Sequence, residues 1–272
     1  MNTWFCQEWT YPAVPLLNFG DCLEFGFYTL TVAKPALILA HQGLGDHIVC
    51  NGLYRALLDE HPYCVLLVKR NYFKEISNMF SDEPRIKIYS IPNRYWKEYL
   101  EVAREKYNKN FRIVALGSFG SHFMEDNALR LDESFYRQAE VDFENRWTRF
   151  HIPSSRDSEV QIMQDKLNVA SPYIFLHEDA SRGFLIDRQL VNSELPEISP
   201  LIELDSLALD YVSILENASA IHCIESSFAA LCESLNLGVK KYAHRYARPE
   251  ARDDFKYEYT YRSNWTIFKD TT

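Results

Sequence analysis

The chain has 272 residues, 47% of them hydrophobic and 25% charged, the proportions of a globular protein in water. Its formal net charge of −9 argues against a general polyanion binder, because an acidic surface gathers nucleic acid only through a concentrated basic patch. No run approaches eighteen apolar residues, so no membrane-spanning helix is expected, and the six cysteines form neither a C-x-x-C pair nor a zinc spacing.

Several of those cysteines lie in apolar runs, where a free thiol packs as a small hydrophobe, and this points to a reducing, cytoplasmic setting. The N-terminus lacks the basic stretch and apolar core of a signal peptide. Residues 1–35 are aromatic and turn-rich, and "CLEFGFYTLTV" alternates enough for a strand or hairpin ahead of the main fold. "PALILA" is a short buried strand, followed by the turn "HQGLGDH" and a helix over roughly Ile48–Glu60 with apolar residues at helical spacing. "YCVLLVK", "RIKIYSI" and "FRIVALG" are further buried strands, separated by helices in "NYFKEISNMF" and "YWKEYLEVAREKY". Strand alternating with helix implies a parallel sheet covered by helices, and the continuous Val/Ile/Leu runs suit strands buried on both faces.

The stretch from Asp126 to Leu167 breaks this rhythm, carries a polar segment at Pro153–Ser158, and reads as a helical linker and domain boundary. Beyond it the alternation returns, with strands in "PYIFLHED", "LIELD", "AIHCIES" and "GVKKYAH" and helices in "ALDYVSILENA" and "SFAALCESLN". The expected architecture is two tandem α/β domains, residues 1–150 and 151–272, each a small parallel sheet, with their polar turns facing one cleft.

Three turns carry the candidate chemistry. In "HQGLGDHIVCNG", glycine after a strand lets the chain turn tightly and lets a ligand approach the backbone, and the helix start beyond it supplies unpaired N–H groups. Asp46 there suits a first-turn cap, but a cap does not account for His41, Gly43, Gly45 and His47 beside it at the carboxyl end of a strand, where open α/β sheets place ligands. The turn is neither a Walker loop nor G-x-G-x-x-G. In "FLHEDASRGF", His177 leads into Ser181, Arg182 and Gly183; the arginine suits a bidentate phosphate clamp, although a solvated turn built on Asp179 explains the same residues. In "IESSFAALCESL", Ser226 and Ser227 suit a helix cap or a phosphate site, with Glu225 placed to accept hydrogen bonds from sugar hydroxyls. His244, Arg245, Arg248 and Arg252 add a local basic cluster to an acidic chain and suggest an anionic ligand. No G-x-S-x-G elbow or H-E-x-x-H metal motif is present, and no metal site is expected.

Taken together, "GLGDHIVCNGLYRAL" after the first strand and "ESSFAALCESL" in the second half resemble the GT-B glycosyltransferases. The likeness is greatest to the lipopolysaccharide heptosyltransferases, and extends to related transferases of viral and bacterial polysaccharide clusters. It covers the strand order and these two motifs, and departs where the family's Asp-Ser/Thr-Gly becomes Glu225-Ser226-Ser227. The resemblance implies two Rossmann-like domains of GT-B type and a cytoplasmic enzyme of polysaccharide biosynthesis. It further implies sugar transfer from a nucleotide-sugar substrate to a glycan acceptor, with no nucleic acid as partner. Asp46 matches the position of the family's catalytic base, with His47 or His41 orienting the hydroxyl or sharing the role, and Gly43, Gly45, His41 and Asn51 on the acceptor side. The donor would lie against His177, Ser181, Arg182, Gly183, Glu225, Ser226, Ser227, His244, Arg245 and Arg248, in a single displacement with inversion and with no metal or cofactor. A sugar-nucleotide epimerase, or a nucleotide-sugar or glycan-binding protein without turnover, is the alternative on the same fold.

Overall fold

The computed structural model describes residues 33–40, 43–92, 96–117, 129–153, 172–191, 193–201, 207–253 and 257–270, with Asp165 and Leu167 as isolated helical positions and the backbone alone at 96–100 and 252. The hairpin expected in 22–32, the strand expected in "LIELD" beyond Leu201, and most of the Pro153–Ser158 segment lie outside the described residues.

Nine strands of two to six residues lie among the described residues, arranged as two all-parallel sheets. The first comprises β1 (Ala36–Leu39), β2 (Cys64–Lys69), β3 (Ile86–Ile91) and β4 (Arg112–Ala115), ordered β3-β2-β1-β4. The second comprises β5 (Ile174–His177), β6 (Glu197–Ile198), β7 (Ala220–Cys223), β8 (Lys240–His244) and β9 (Trp265–Phe268), ordered β6-β5-β7-β8-β9. β6 and β9 are additions to the strands read from sequence. The helices are α1 (Leu44–Val49), α2 (Asn51–Leu57), α3 (Phe73–Met79), α4 (Trp96–Tyr107), α5 (Leu131–Ala139), α6 (Asn145–Thr148), α7 (Val212–Glu216), α8 (Ser227–Ser234) and α9 (Pro249–Asp253).

Strand order decides where a ligand can enter. The first sheet builds outward from β1 through β2 to β3 and then returns to place β4 on the other side; the second does the same from β5 to β6 and then β7. Each reversal opens a crevice at the carboxyl ends of the central strands, the place where open α/β sheets bind ligands. The β1 exit carries Gly43–Asp46, the β5 exit His177–Gly183, and the β7 exit Glu225–Ser227.

The single helix expected over Ile48–Glu60 begins earlier, at Leu44, and breaks at Cys50. The cause is Tyr136 from α5. Its hydroxyl accepts from Leu53 N at 3.1 Å and donates to Val49 O at 2.9 Å, the two groups that would have bonded each other in an unbroken helix. The region read as a linker therefore packs into the fold: Phe135 and Tyr136 are fully buried, in a cluster that runs from Ile38 and Leu66 of the first sheet to Phe175, Ile221 and Leu231 of the second half. Leu37 and Leu39, alternating with Ile38, face the other way onto Ala103 of α4.

An irregular segment, residues 258–263, crosses back from the second half to α5, α6 and α8. Its polar backbone finds buried partners throughout. Tyr259 N donates to Glu225 Oε1 at 2.6 Å, Thr260 N to Asp132 Oδ2 at 2.9 Å, and Arg262 N to Glu233 Oε1 at 2.8 Å. Arg245 and Arg146 donate to the carbonyls of Tyr259 and Thr260 at 3.0 and 2.9 Å.

α2 meets α6 at Gly52, where a Cβ would stand 1.9 Å from Asn145 O and 3.3 Å from Arg146 Cα. Both obstacles are backbone, so neither yields easily. In Gly52→Ala, the helix propensity gained is about 1 kcal/mol, and overpacking of about 1–3 kcal/mol on each displaced contact exceeds it. We expect denaturant titration to show a net loss of stability; a variant as stable as the parent would mean that the two helices do not approach here.

Candidate active site

At the β1 exit, Asp46 occupies the third position of α1 and its carboxylate turns back, with Oδ2 accepting from Gly43 N at 2.8 Å, half of a capping box. Oδ1 accepts from the hydroxyl of Tyr259 at 3.3 Å. Both glycines of the turn exist for space. A Cβ on Gly43 would lie 2.7 Å from Asp46 Oδ2, and one on Gly45 would lie 2.6 Å from the Tyr259 hydroxyl and 3.4 Å from Ser227 Cα. The last contact brings the β1 turn against the start of α8, so the acceptor-side and donor-side motifs meet. His41 lies outside the described residues.

The other two acceptor-side candidates face inward. His47 is 1% exposed, with Nδ1 3.2 Å from the Tyr54 hydroxyl. Asn51 is fully buried and clamps the backbone of His151 from both sides, accepting from its N–H at 3.0 Å and donating to its carbonyl at 2.9 Å.

At the β5 exit, His177 lies tilted against Phe228, ring centroids 4.6 Å apart, and its Nδ1 lies 3.0 Å from Ser226 Oγ. Burial lowers this imidazole to about 4, so it is neutral at ordinary pH. The neutral ring shares a hydrogen bond with the serine hydroxyl, while Ser226 Oγ accepts from Ala229 N at 3.5 Å and caps α8. Beyond it Asp179 organises the loop: Oδ1 accepts from Ser181 Oγ at 2.6 Å and Oδ2 from Arg182 Nε at 2.6 Å. Gly183, with φ 74°, closes the turn in the left-handed region that favours glycine. Arg182 keeps 55% of its side chain exposed, with its guanidinium 4.8 Å from the Phe184 ring.

Arg248 reaches the same ring, 6.0 Å from its centroid, while its Nη1 donates to Glu225 O at 2.6 Å. Two guanidiniums thus converge on Phe184 beside the first turn of α8. Phe184 was not among the residues singled out by sequence, and its position next to Gly183 was the only available signal.

The remaining donor-side candidates are spent on the interior. Glu225, 1% exposed, accepts from Tyr259 N, from the Tyr261 hydroxyl at 2.8 Å and from Arg245 Nε at 3.3 Å. Arg245, 3% exposed, also bonds Glu258 at 2.5 Å. Burial opposes its charge, but Glu225, Tyr261 and Glu258 together hold the guanidinium above its usual range. His244 is fully buried in a chain: Asp187 N donates to the Tyr246 hydroxyl at 2.7 Å, which lies 3.1 Å from His244 Nδ1, whose Nε2 lies 3.0 Å from His222 Nδ1. The side chain of Arg252 is outside the described residues. Among the described residues, no group of three or more His, Cys, Asp or Glu side chains is placed to hold a metal ion.

The architecture is GT-B-like, a mixed α/β chain with two parallel sheets, as the sequence resemblance implied. Two solved structures share it. The glycosyl transferase family 9 protein from Veillonella parvula superposes with a TM-score of 0.54 at 12% identity, over 93% of this chain and 90% of that one. The ADP-heptose LPS heptosyltransferase II of E. coli superposes with a TM-score of 0.51 at 11% identity, over 86% of this chain and 90% of that one. No protein-family model and no curated protein sequence matches the chain.

The buried imidazole pair sets a pH dependence of stability. Burial lowers His222 to about 4 and His244 to about 3, against about 6.5 for an unfolded histidine. Between those values the unfolded chain binds protons that the folded chain refuses. The contribution is therefore full above pH about 6.5 and drains as pH falls towards 4, by about 1.4 kcal/mol per pH unit for each imidazole. Denaturant titrations between pH 7 and 5 measure the slope. His222→Gln should reduce it by one proton's worth, and an unchanged slope would show that His222 is already solvated in the native state.

Proposed function

We propose that the protein is a glycosyltransferase that moves a sugar from a nucleotide-sugar donor to a hydroxyl of a glycan acceptor, with inversion and without a metal. One observation carries this reading: the carboxylate turn at the β1 exit abuts the serine start of α8, with Arg248 bound to the carbonyl of Glu225 just before that start and Arg182 on the same Phe184 ring as Arg248. A base and an anion site face each other, as a single displacement requires. The fold shared with a heptosyltransferase that acts with ADP-heptose is in keeping with such a donor.

In this reading the half within residues 1–150 receives the acceptor and the half within 151–272 the donor. Arg182 and Arg248, together with the free amides at the Ser226–Ser227 helix start, hold the diphosphate and take up the charge that develops as it leaves. Asp46 removes the proton from the attacking hydroxyl. His177, held by Ser226, supports the α8 cap, and Glu225 and Arg245 support the floor beneath it.

Two variants test the halves separately. Arg182→Ala should weaken nucleoside diphosphate binding by roughly 1.5–3 kcal/mol in calorimetry, the range for a lost charged hydrogen bond; unchanged affinity would remove Arg182 from the site. Asp46→Asn keeps a side chain that caps a helix about as well, so a cap alone predicts near-normal turnover. A general base predicts a fall in kcat of roughly a hundredfold or more at unchanged donor affinity. Release of nucleotide from a panel of sugar nucleotides, with and without a glycan acceptor, reads the outcome. Nucleotide binding without any release would favour a binding protein.

A further inference from the structure

A carboxylate that takes a proton from a bound hydroxyl must present a lone pair in one direction, and free rotation about its Cβ–Cγ bond works against that. In Asp46 each oxygen meets a donor from a different part of the chain. Oδ2 takes the Gly43 amide three residues back, and Oδ1 takes the Tyr259 hydroxyl 213 residues on. Two bonds to two oxygens fix the plane of the group.

Tyr259 is itself fixed. It is 7% exposed, its N–H donates to Glu225 Oε1 at 2.6 Å, and its carbonyl accepts from Arg245 Nη2 at 3.0 Å. Its hydroxyl reaches Asp46 only because residue 45 has no side chain: a Cβ there would lie 2.6 Å from the phenolic oxygen. Among the described residues, Cys50 and Tyr54 from the α1–α2 side and Tyr259 from the crossing segment are titratable groups that feel this carboxylate. Burial, and after it the charge of Asp46, pushes Cys50 and Tyr259 upward, and Tyr54 rises chiefly through burial and its neighbour Cys50. Arg146 and Arg248 act on the same surroundings with the opposite sign.

We infer that Tyr259 is a positioning residue for Asp46, its hydroxyl passing through the gap at Gly45 to set the direction of the carboxylate. The inference rests on the proposed role of Asp46 as base, and the experiment separates the two.

The bond is read without substrate, from the carboxyl 13C shift of Asp46 followed against pH in selectively labelled protein and assigned by its loss in Asp46→Asn. Removing a donor to a carboxylate favours its protonated form, so in Tyr259→Phe the midpoint should rise by at least about 0.5 pH unit. A midpoint equal to the parent's overturns the inference. The same variant should lower kcat roughly tenfold through lost orientation, move the acid limb of the kcat profile upward, and leave the donor KM unchanged. A fall in kcat with an unmoved limb indicates a merely structural tyrosine and also overturns it. Gly45→Ala keeps the tyrosine but crowds its hydroxyl, and should reproduce both signatures; it serves as the second variant should Tyr259→Phe fail to fold. Asp46→Asn at near-parental turnover refutes the base reading whatever the titration shows, whereas an inactive Asp46→Asn beside a Tyr259→Phe with parental kcat and midpoint refutes only the role of Tyr259.

Discussion

The interaction on which most of the structure depends is the satisfaction of one irregular segment, residues 258–263, by buried carboxylates. A backbone that forms neither helix nor sheet and lies away from water has N–H and C=O groups that must find partners elsewhere. Here Glu225, Asp132 and Glu233 supply the acceptors and Arg245 and Arg146 the donors. Glu233 shows how the balance falls. Burial alone would raise its carboxyl, yet the Trp147 and Trp265 indoles, the Ser263 hydroxyl and the Arg262 amide all donate to it and hold it below the ordinary range. Four charged hydrogen bonds at about 1.5–3 kcal/mol each are enough to outweigh the desolvation of one carboxylate.

This segment places the candidate base under the control of the other half of the chain. Asp46 sits on the first half, but one of its oxygens is held by Tyr259, and Tyr259 is held by Glu225 at the β7 exit. Glu225 is also the residue whose carbonyl receives Arg248, so the bonds run without interruption from Asp46 to a guanidinium of the proposed donor side. The glycines of the β1 turn belong to the same arrangement. Neither is needed for an unusual φ; Gly43 clears the volume of the carboxylate oxygen that its own amide binds, and Gly45 that of the Tyr259 hydroxyl.

Parallel strands buried on both faces leave continuous apolar runs, which is why β1, β2, β4, β5 and β7 were legible, and a turn at a strand's carboxyl end is legible for what it contains. What sequence could not show is which polar residue of a turn faces outward. Arg182 and Arg245 read alike, yet one is 55% exposed in its side chain and the other lies between two glutamates. β9 escaped notice because it is a half-exposed edge strand following a charged stretch, with no apolar run to mark it. The crossing segment escaped because the partners of its backbone lie 14 to 128 residues away and no local periodicity records them. The break between α1 and α2 has the same origin, a tyrosine from 83 residues downstream entering the helix ladder.

An acidic chain with a basic cluster thus divides its cations by burial. Arg245 and Arg146 are fully committed to the interior, where each compensates carboxylates that would otherwise be isolated charges. Arg182 and Arg248 lie against Phe184 with part of each side chain in solvent, Arg182 also paired with Asp179 at 2.6 Å and Arg248 with Glu250 at 4.0 Å. Arg245 of the interior and Arg248 of the exposed pair are linked through Glu225, to which both attach. An anion arriving at the α8 start would meet guanidiniums whose orientation is set before it binds, and preorganised charge of this kind is what stabilises a departing diphosphate.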